Sequence, residues 1–103
     1  MMTDMKDRER AFETQFALDE EQKFRAIVRR NKLLGQWAAG LLGRDADAYA
    51  KEVIDADFVE AGDEDVFRKI RADFDAAGVS VSDEDIRQKM FSSLQDAITA
   101  VKS

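Results

Sequence analysis

The chain has no histidine, no cysteine and no proline. Without histidine there is no ready general base near neutral pH, and without either histidine or cysteine the common nucleophile dyads and zinc sites are excluded. Lysine or carboxylate catalysis survives that count, but no pair of acids is singled out, because they sit mostly at expected helix starts and outer faces. Enzymatic activity is therefore not expected. The missing cysteines rule out disulfides and fit a reducing compartment. The missing prolines leave long helices unhindered. Glycine is sparse, and Gly35, Gly40 and Gly43 form no GxGxxG loop; no glycine is followed by lysine and then serine or threonine. Asp55, Asp57 and Glu60 precede Gly62, yet Phe58 and Val59 occupy the middle of the run, so the alternating oxygen ligands of a calcium loop are missing. No metal and no other cofactor is expected. No stretch approaches the roughly 20 apolar residues of a membrane span, and the acidic N-terminus has no apolar signal-peptide core.

What remains is the material of one helical domain. The 103 residues are 45% hydrophobic, enough for a real core, and carry a net charge of −6, which argues against nucleic acid as a partner. That charge is uneven. Residues 23–44 hold six bases (Lys23, Arg25, Arg29, Arg30, Lys32, Arg44) and no acid, while residues 45–103 hold fifteen acids and seven bases. One basic helix thus sits in an acidic protein. It either packs beside acidic helices or offers Arg25, Arg29, Arg30 and Lys32 to an acidic partner or a nucleotide phosphate.

Four amphipathic patterns can be read, and no strand pattern competes. The first covers about 20–42, with Phe24, Ile27, Val28, Leu34, Ala38, Leu41 and Leu42 on one face, Trp37 at its edge and Asn31 interrupting it. Gly35, Ala38 and Ala39 would admit a close neighbour. The second covers about 45–61, with Ala46, Tyr49, Ala50, Val53, Ile54, Phe58 and Ala61 inward and Asp57 the one polar residue on that seam. Gly62 would end it and Asp63 would cap the third helix, about 64–77, whose face is Val66, Phe67, Ile70 and Phe74. Ser82 caps the fourth, about 83–102, with Asp85 placed for a capping box and Val81 and Ile86 for a hydrophobic staple. Its inward residues are Ile86, Met90, Leu94, Ala97, Ile98 and Val101. Short connections between such helices give a small, all-α four-helix bundle over residues 19–103.

Residues 1–18 do not join it. Phe12 and Phe16 stand four apart, on one helical face, among alternating charges. Residues 19–23 are all polar and separate them from the stripe beginning at Phe24. Two aromatics without a continuous stripe do not hold a helix alone, so this N-terminal arm is expected to be mobile, disordered or a frayed helix when free, and to fold on a partner that supplies a groove.

The residues carrying this pattern resemble the zeta subunit family, small inhibitors of the F-type ATP synthase of alphaproteobacteria. The likeness lies in Met5-Lys6-Asp7-Arg8-Glu9, Phe12-Glu13 and Phe16-Ala17, then in residues 19–24, then in Arg29-Arg30-Asn31-Lys32-Leu33-Leu34-Gly35 with Trp37-Ala38-Ala39. It is most specific over residues 5–42 and looser beyond. The resemblance implies a four-helix bundle whose arm enters the catalytic head of the synthase beside the rotor and blocks hydrolysis, sparing synthesis far more. It implies a cytoplasmic, non-enzymatic regulator, monomeric when free and peripheral to the inner membrane when bound. On that reading Phe12 and Phe16 anchor the arm, while Arg8, Glu9, Arg10 and Glu13 set its register by charge pairing. A helical adaptor for another protein and a nucleotide-sensing module built on the first helix stand as alternatives.

Overall fold

In the computed structural model, which describes residues 18–57 and 63–102, four helices follow one another: α1 (Glu20–Leu42), α2 (Ala46–Ala56), α3 (Glu64–Ala77) and α4 (Asp83–Lys102). Among the described residues there is no strand. The arm over 1–17 and the expected end of the second helix at 58–62 lie outside the described residues.

Helix α1 is fixed at both ends by local chemistry. Asp19 is its N-cap, with φ −74° and ψ 174°. Its carboxylate accepts from the Gln22 backbone N–H at 2.7 Å, and Gln22 Oε1 accepts in return from the Asp19 N–H at 3.2 Å. The polar run that looks like a mere gap in the hydrophobic stripe is therefore a capping box. Glu20 and Glu21 complement the positive end of the helix dipole. At the other end Gly43 adopts φ 69°, as Gly78 does with φ 70° after α3, a conformation glycine takes without steric cost. Ser82 Oγ accepts from the Asp85 N–H at 3.0 Å, the expected cap of α4.

Helix α1 packs chiefly against α2 on one side and α4 on the other, while α3 closes the core from α2, α1 and α4. The main core joins Leu34, Ala38, Tyr49, Val53, Val66, Ile70, Phe74 and Ile86, all fully buried. Trp37 packs at its edge, its ring edge-on to Phe74 with centroids 5.6 Å apart. A second cluster holds Leu18, Ala26, Ala97 and Ile98, with Leu94 and Val101 against it.

Three expectations change. Leu18, grouped by its sequence with the arm, is only 4% exposed and belongs to the helical body. Phe24 and Leu41 are not inward: they are 56% and 46% exposed. The reason is that two seams, not one, run along α1, and its buried set is Ala26, Arg30, Asn31, Leu34, Gly35, Ala38 and Ala39. Helix α2 reaches its C-cap, Asp57, level with Asn31, about 10 Å short of Phe24 along the axis. Finally, Asp63 makes no side-chain cap to α3; its carboxylate goes to Arg30 instead.

The α1–α2 seam depends on Gly35. A Cβ built there would lie 2.6 Å from Ala50 Cα, a backbone atom that only moves if the helices part. Gly35→Ala is expected to destabilise the bundle by about 1–3 kcal/mol in urea unfolding. Gly40, in the same helix, faces open space, so Gly40→Ala is expected to stabilise by up to about 1 kcal/mol.

Candidate interaction surfaces

The bases of α1 divide sharply. Arg30 is 1% exposed, the largest fully buried side chain among the described residues. Its Nε donates to Asn31 Oδ1 at 2.6 Å and its Nη2 to Asp63 Oδ1 at 3.0 Å, while Asn31 Nδ2 donates to Asp57 Oδ2 at 3.0 Å. The network ties α1 to the end of α2 and the start of α3. It explains why Asn31 interrupts the apolar stripe and why Asp57 sits on the α2 seam: each supplies the other's partner. Arg30 is therefore withdrawn from the set of docking or phosphate contacts. Arg25, Arg29 and Lys32 are exposed. Arg25 pairs with Glu21 at 2.6 Å, one turn away.

Most other bases of the body hold intramolecular carboxylates. Lys23 pairs with Glu20, Arg44 and Lys69 with Glu52, Arg68 with Asp65, Arg71 with Asp75 and Asp83, and Arg87 with Glu64. Arg29, Lys32, Lys51, Lys89 and Lys102 make no ion pair among the described residues. Lys51, on α2, was not singled out by sequence. It follows Ala50, the residue against Gly35, and this places it beside Lys32 on the rim of one cleft of about 270 Å³, with Asp47, Ala50 and Ile54.

Two further clefts flank α4. One, of about 50 Å³, is apolar and is lined by Leu18, Lys23, Ala26, Ile27, Leu94 and Ile98. The other, of about 260 Å³, lies beside Arg30, Asp63, Glu64, Arg87, Met90, Phe91 and Leu94. Phe91, which no apolar pattern had marked, is 51% exposed there.

A polar cluster joins α2 to α3. The Tyr49 hydroxyl donates to Asp73 at 2.6 Å, and the Lys69 ammonium reaches Glu52 at 2.8 Å and Asp73 at 2.9 Å. Lys69 and the Arg44 guanidinium lie over the Tyr49 ring at 5.3 and 4.8 Å. Burial, reinforced by Asp73, pushes the Tyr49 hydroxyl far above its usual range. Hydrogen bonding from Lys69 holds Glu52 below the usual carboxylate range. Burial raises the Asp73 carboxyl, but the bonds from Tyr49 and Lys69 outweigh it and leave it low. A carboxylate depressed on folding stabilises fully above its unfolded value near 4 and loses that contribution as pH falls through the folded value. The acid limb of a stability profile is thus expected to drop below about pH 4. Tyr49→Phe is expected to cost about 1 kcal/mol at pH 7 and to make that limb shallower, read by urea unfolding at stepped pH.

These groups bind one another. Among the described residues no group of acids could hold a metal ion, and no helix is long and apolar enough to cross a membrane. The arm residues Arg8, Glu9, Arg10, Phe12, Glu13 and Phe16 lie outside the described residues. What the structure describes is their root, Leu18 buried between α1 and α4 followed by an extended residue at Asp19.

A comparison with curated proteins returned no match. A family model described as ATPase inhibitor subunit zeta matches residues 2–100.

Proposed function

Because this chain belongs to the ATPase inhibitor subunit zeta family, we propose that it is a regulatory subunit restraining ATP hydrolysis by the bacterial F-type ATP synthase, its N-terminal arm folding into the catalytic head beside the rotor. The observation that carries this reading is the junction at Leu18 and Asp19. Helix α1 starts at a capping box, with its N-cap Asp19 in extended geometry, and Leu18 just before it is buried against α1 and α4. On this reading the chain divides into a helical body and an arm whose aromatics serve another protein.

The energetics suit that division. An arm that orders on binding loses roughly 1–2 kcal/mol of backbone entropy per residue. Burial of Phe12 and Phe16, about 1.5–3 kcal/mol each, offsets part of it. Arg8, Glu9, Arg10 and Glu13 contribute register by pairing with charges in the groove. A helix lodged against a turning rotor stops turnover without chemistry of its own, which suits a chain with no histidine and no cysteine. On this reading the protein is a cytoplasmic monomer when free and peripheral to the inner membrane when bound.

Nucleotide sensing by α1 is the weaker reading. Arg30 is enclosed, and residues 25–32 lie mid-helix, where the backbone N–H groups that cradle phosphates are already used within the helix. The deciding experiment is ATP hydrolysis by the isolated synthase head with and without the protein. Inhibition is expected; unchanged hydrolysis at saturating protein would reject the proposal.

A further inference from the structure

The cleft between α1 and α2 sets charged side chains around apolar ones. Lys32 and Lys51 stand on its rim, Ala50 and Ile54 line it, and Asp47 shares it. Arg29 lies three residues before Lys32, on the same exposed side of α1. In an acidic protein whose body pairs most of its other bases internally, these three carry no carboxylate partner among the described residues, and they lie together. Ala50 is only 3% exposed, so the cleft presents a shallow apolar floor rather than a deep cavity.

We propose that this basic ridge, Arg29 and Lys32 on α1 with Lys51 across the cleft, is a second docking surface, and that its occupant is an acidic helix on the outside of the same catalytic head. The inference rests on the reading that the chain binds the head, and it assigns a separate contact to the body. The occupant follows from charge and spacing. Arg29 and Lys32 are one turn apart, which matches carboxylates three or four residues apart on a facing helix. Between them and Lys51 the apolar floor receives one small side chain. A polyphosphate fits less well, because α1 offers no free N–H groups there. Electrostatic docking of this kind acts mainly on the rate of encounter and gives it a strong dependence on salt.

The test uses the full chain and the isolated head, and follows the onset of inhibition at about 25 mM and 500 mM salt. The variant Arg29→Glu, Lys32→Glu, Lys51→Glu is expected to inhibit at least tenfold more slowly than wild type at low salt, and to approach wild type at high salt. The same three positions changed to Gln are expected to lie between. All three side chains are exposed, so thermal midpoints should match wild type. Phe12→Ala, Phe16→Ala should inhibit at least tenfold more weakly, yet slow the onset of inhibition by wild type as a competitor; adding the three Glu changes should remove that competition. Wild-type onset and salt dependence in the triple Glu variant would overturn the ridge and leave the arm untouched. Full inhibition by the double Phe variant would overturn the arm's role alone. Saturation of amide shifts at residues 25–32 by micromolar ATP, lost in the triple variant, would assign the ridge to nucleotide and overturn it as a protein contact. Wild type that neither binds nor inhibits the head would overturn both.

Discussion

A protein beginning at Leu18 is expected to lose inhibition of ATP hydrolysis and to keep the thermal midpoint of the full chain. Among the described residues the body holds two apolar clusters, and the second of them includes Leu18 itself. A finer version replaces only Phe12 and Phe16 with alanine. Loss of both anchors is expected to weaken inhibition at least tenfold, about 1.4 kcal/mol, with less than about 0.5 kcal/mol lost from the stability of the free protein. Leu18→Ala gives the contrasting result. It removes a buried side chain at the α1–α4 seam, and about 2–3 kcal/mol of stability should go with it. Urea unfolding and head inhibition, measured on the same three proteins, separate anchor from core. Marked destabilisation on removing residues 1–17 would show the arm to be part of the core.

The second large effect comes from neighbouring arginines with opposite fates. Arg30→Glu places a carboxylate at a fully buried position facing Asp63, with Asp57 one hydrogen bond beyond through Asn31. An unpaired buried charge beside acids is expected to cost more than about 3 kcal/mol, a large share of the stability of a small domain. Arg30→Met is milder, about 1–3 kcal/mol, because it leaves Asn31 Oδ1 without its donor but retains most of the side-chain volume. Asp63 is 56% exposed and stays solvated when its partner is removed. Arg29→Glu, one residue away on the exposed side, should change stability by less than about 0.5 kcal/mol. Equal costs at the two positions in urea unfolding would mean that the Arg30 network contributes nothing to the fold.

The two arginines also show what sequence alone makes legible. Helix number, order and most boundaries follow from apolar spacing and from the glycines at 43 and 78, because a period near 3.6 and a left-handed stop are local properties. Gly35 as a point of close approach was legible for the same reason. The inward face of α1 was not. A single stripe assigns Phe24 and Leu41 to the core, but this helix is gripped from two sides, and small or polar residues line its seams. Arg30 and Asn31 look like breaks in a pattern until their partners Asp63 and Asp57 are brought near, some thirty positions away in sequence. The hint was present in the unusual Asp57 on the α2 seam. Lys51 carried no signal of its own, since its meaning depends on which α1 residues α2 lies against. The capping box at Asp19 was written plainly in residues 19–22, but a search for stripes passes over polar runs.

Gly35 has a consequence beyond packing. Lys32 sits three positions before it on α1, and Lys51 directly follows the alanine pressed against it on α2. The tightest point of the helix pair therefore works as a gauge block for the gap between two charges on the outer surface. A methyl group inserted at that hidden position would spread the rim of the cleft, and a matching acidic helix would meet its bases at the wrong separation. If the ridge docks as proposed, recognition is tuned from inside, by a residue buried in the α1–α2 seam.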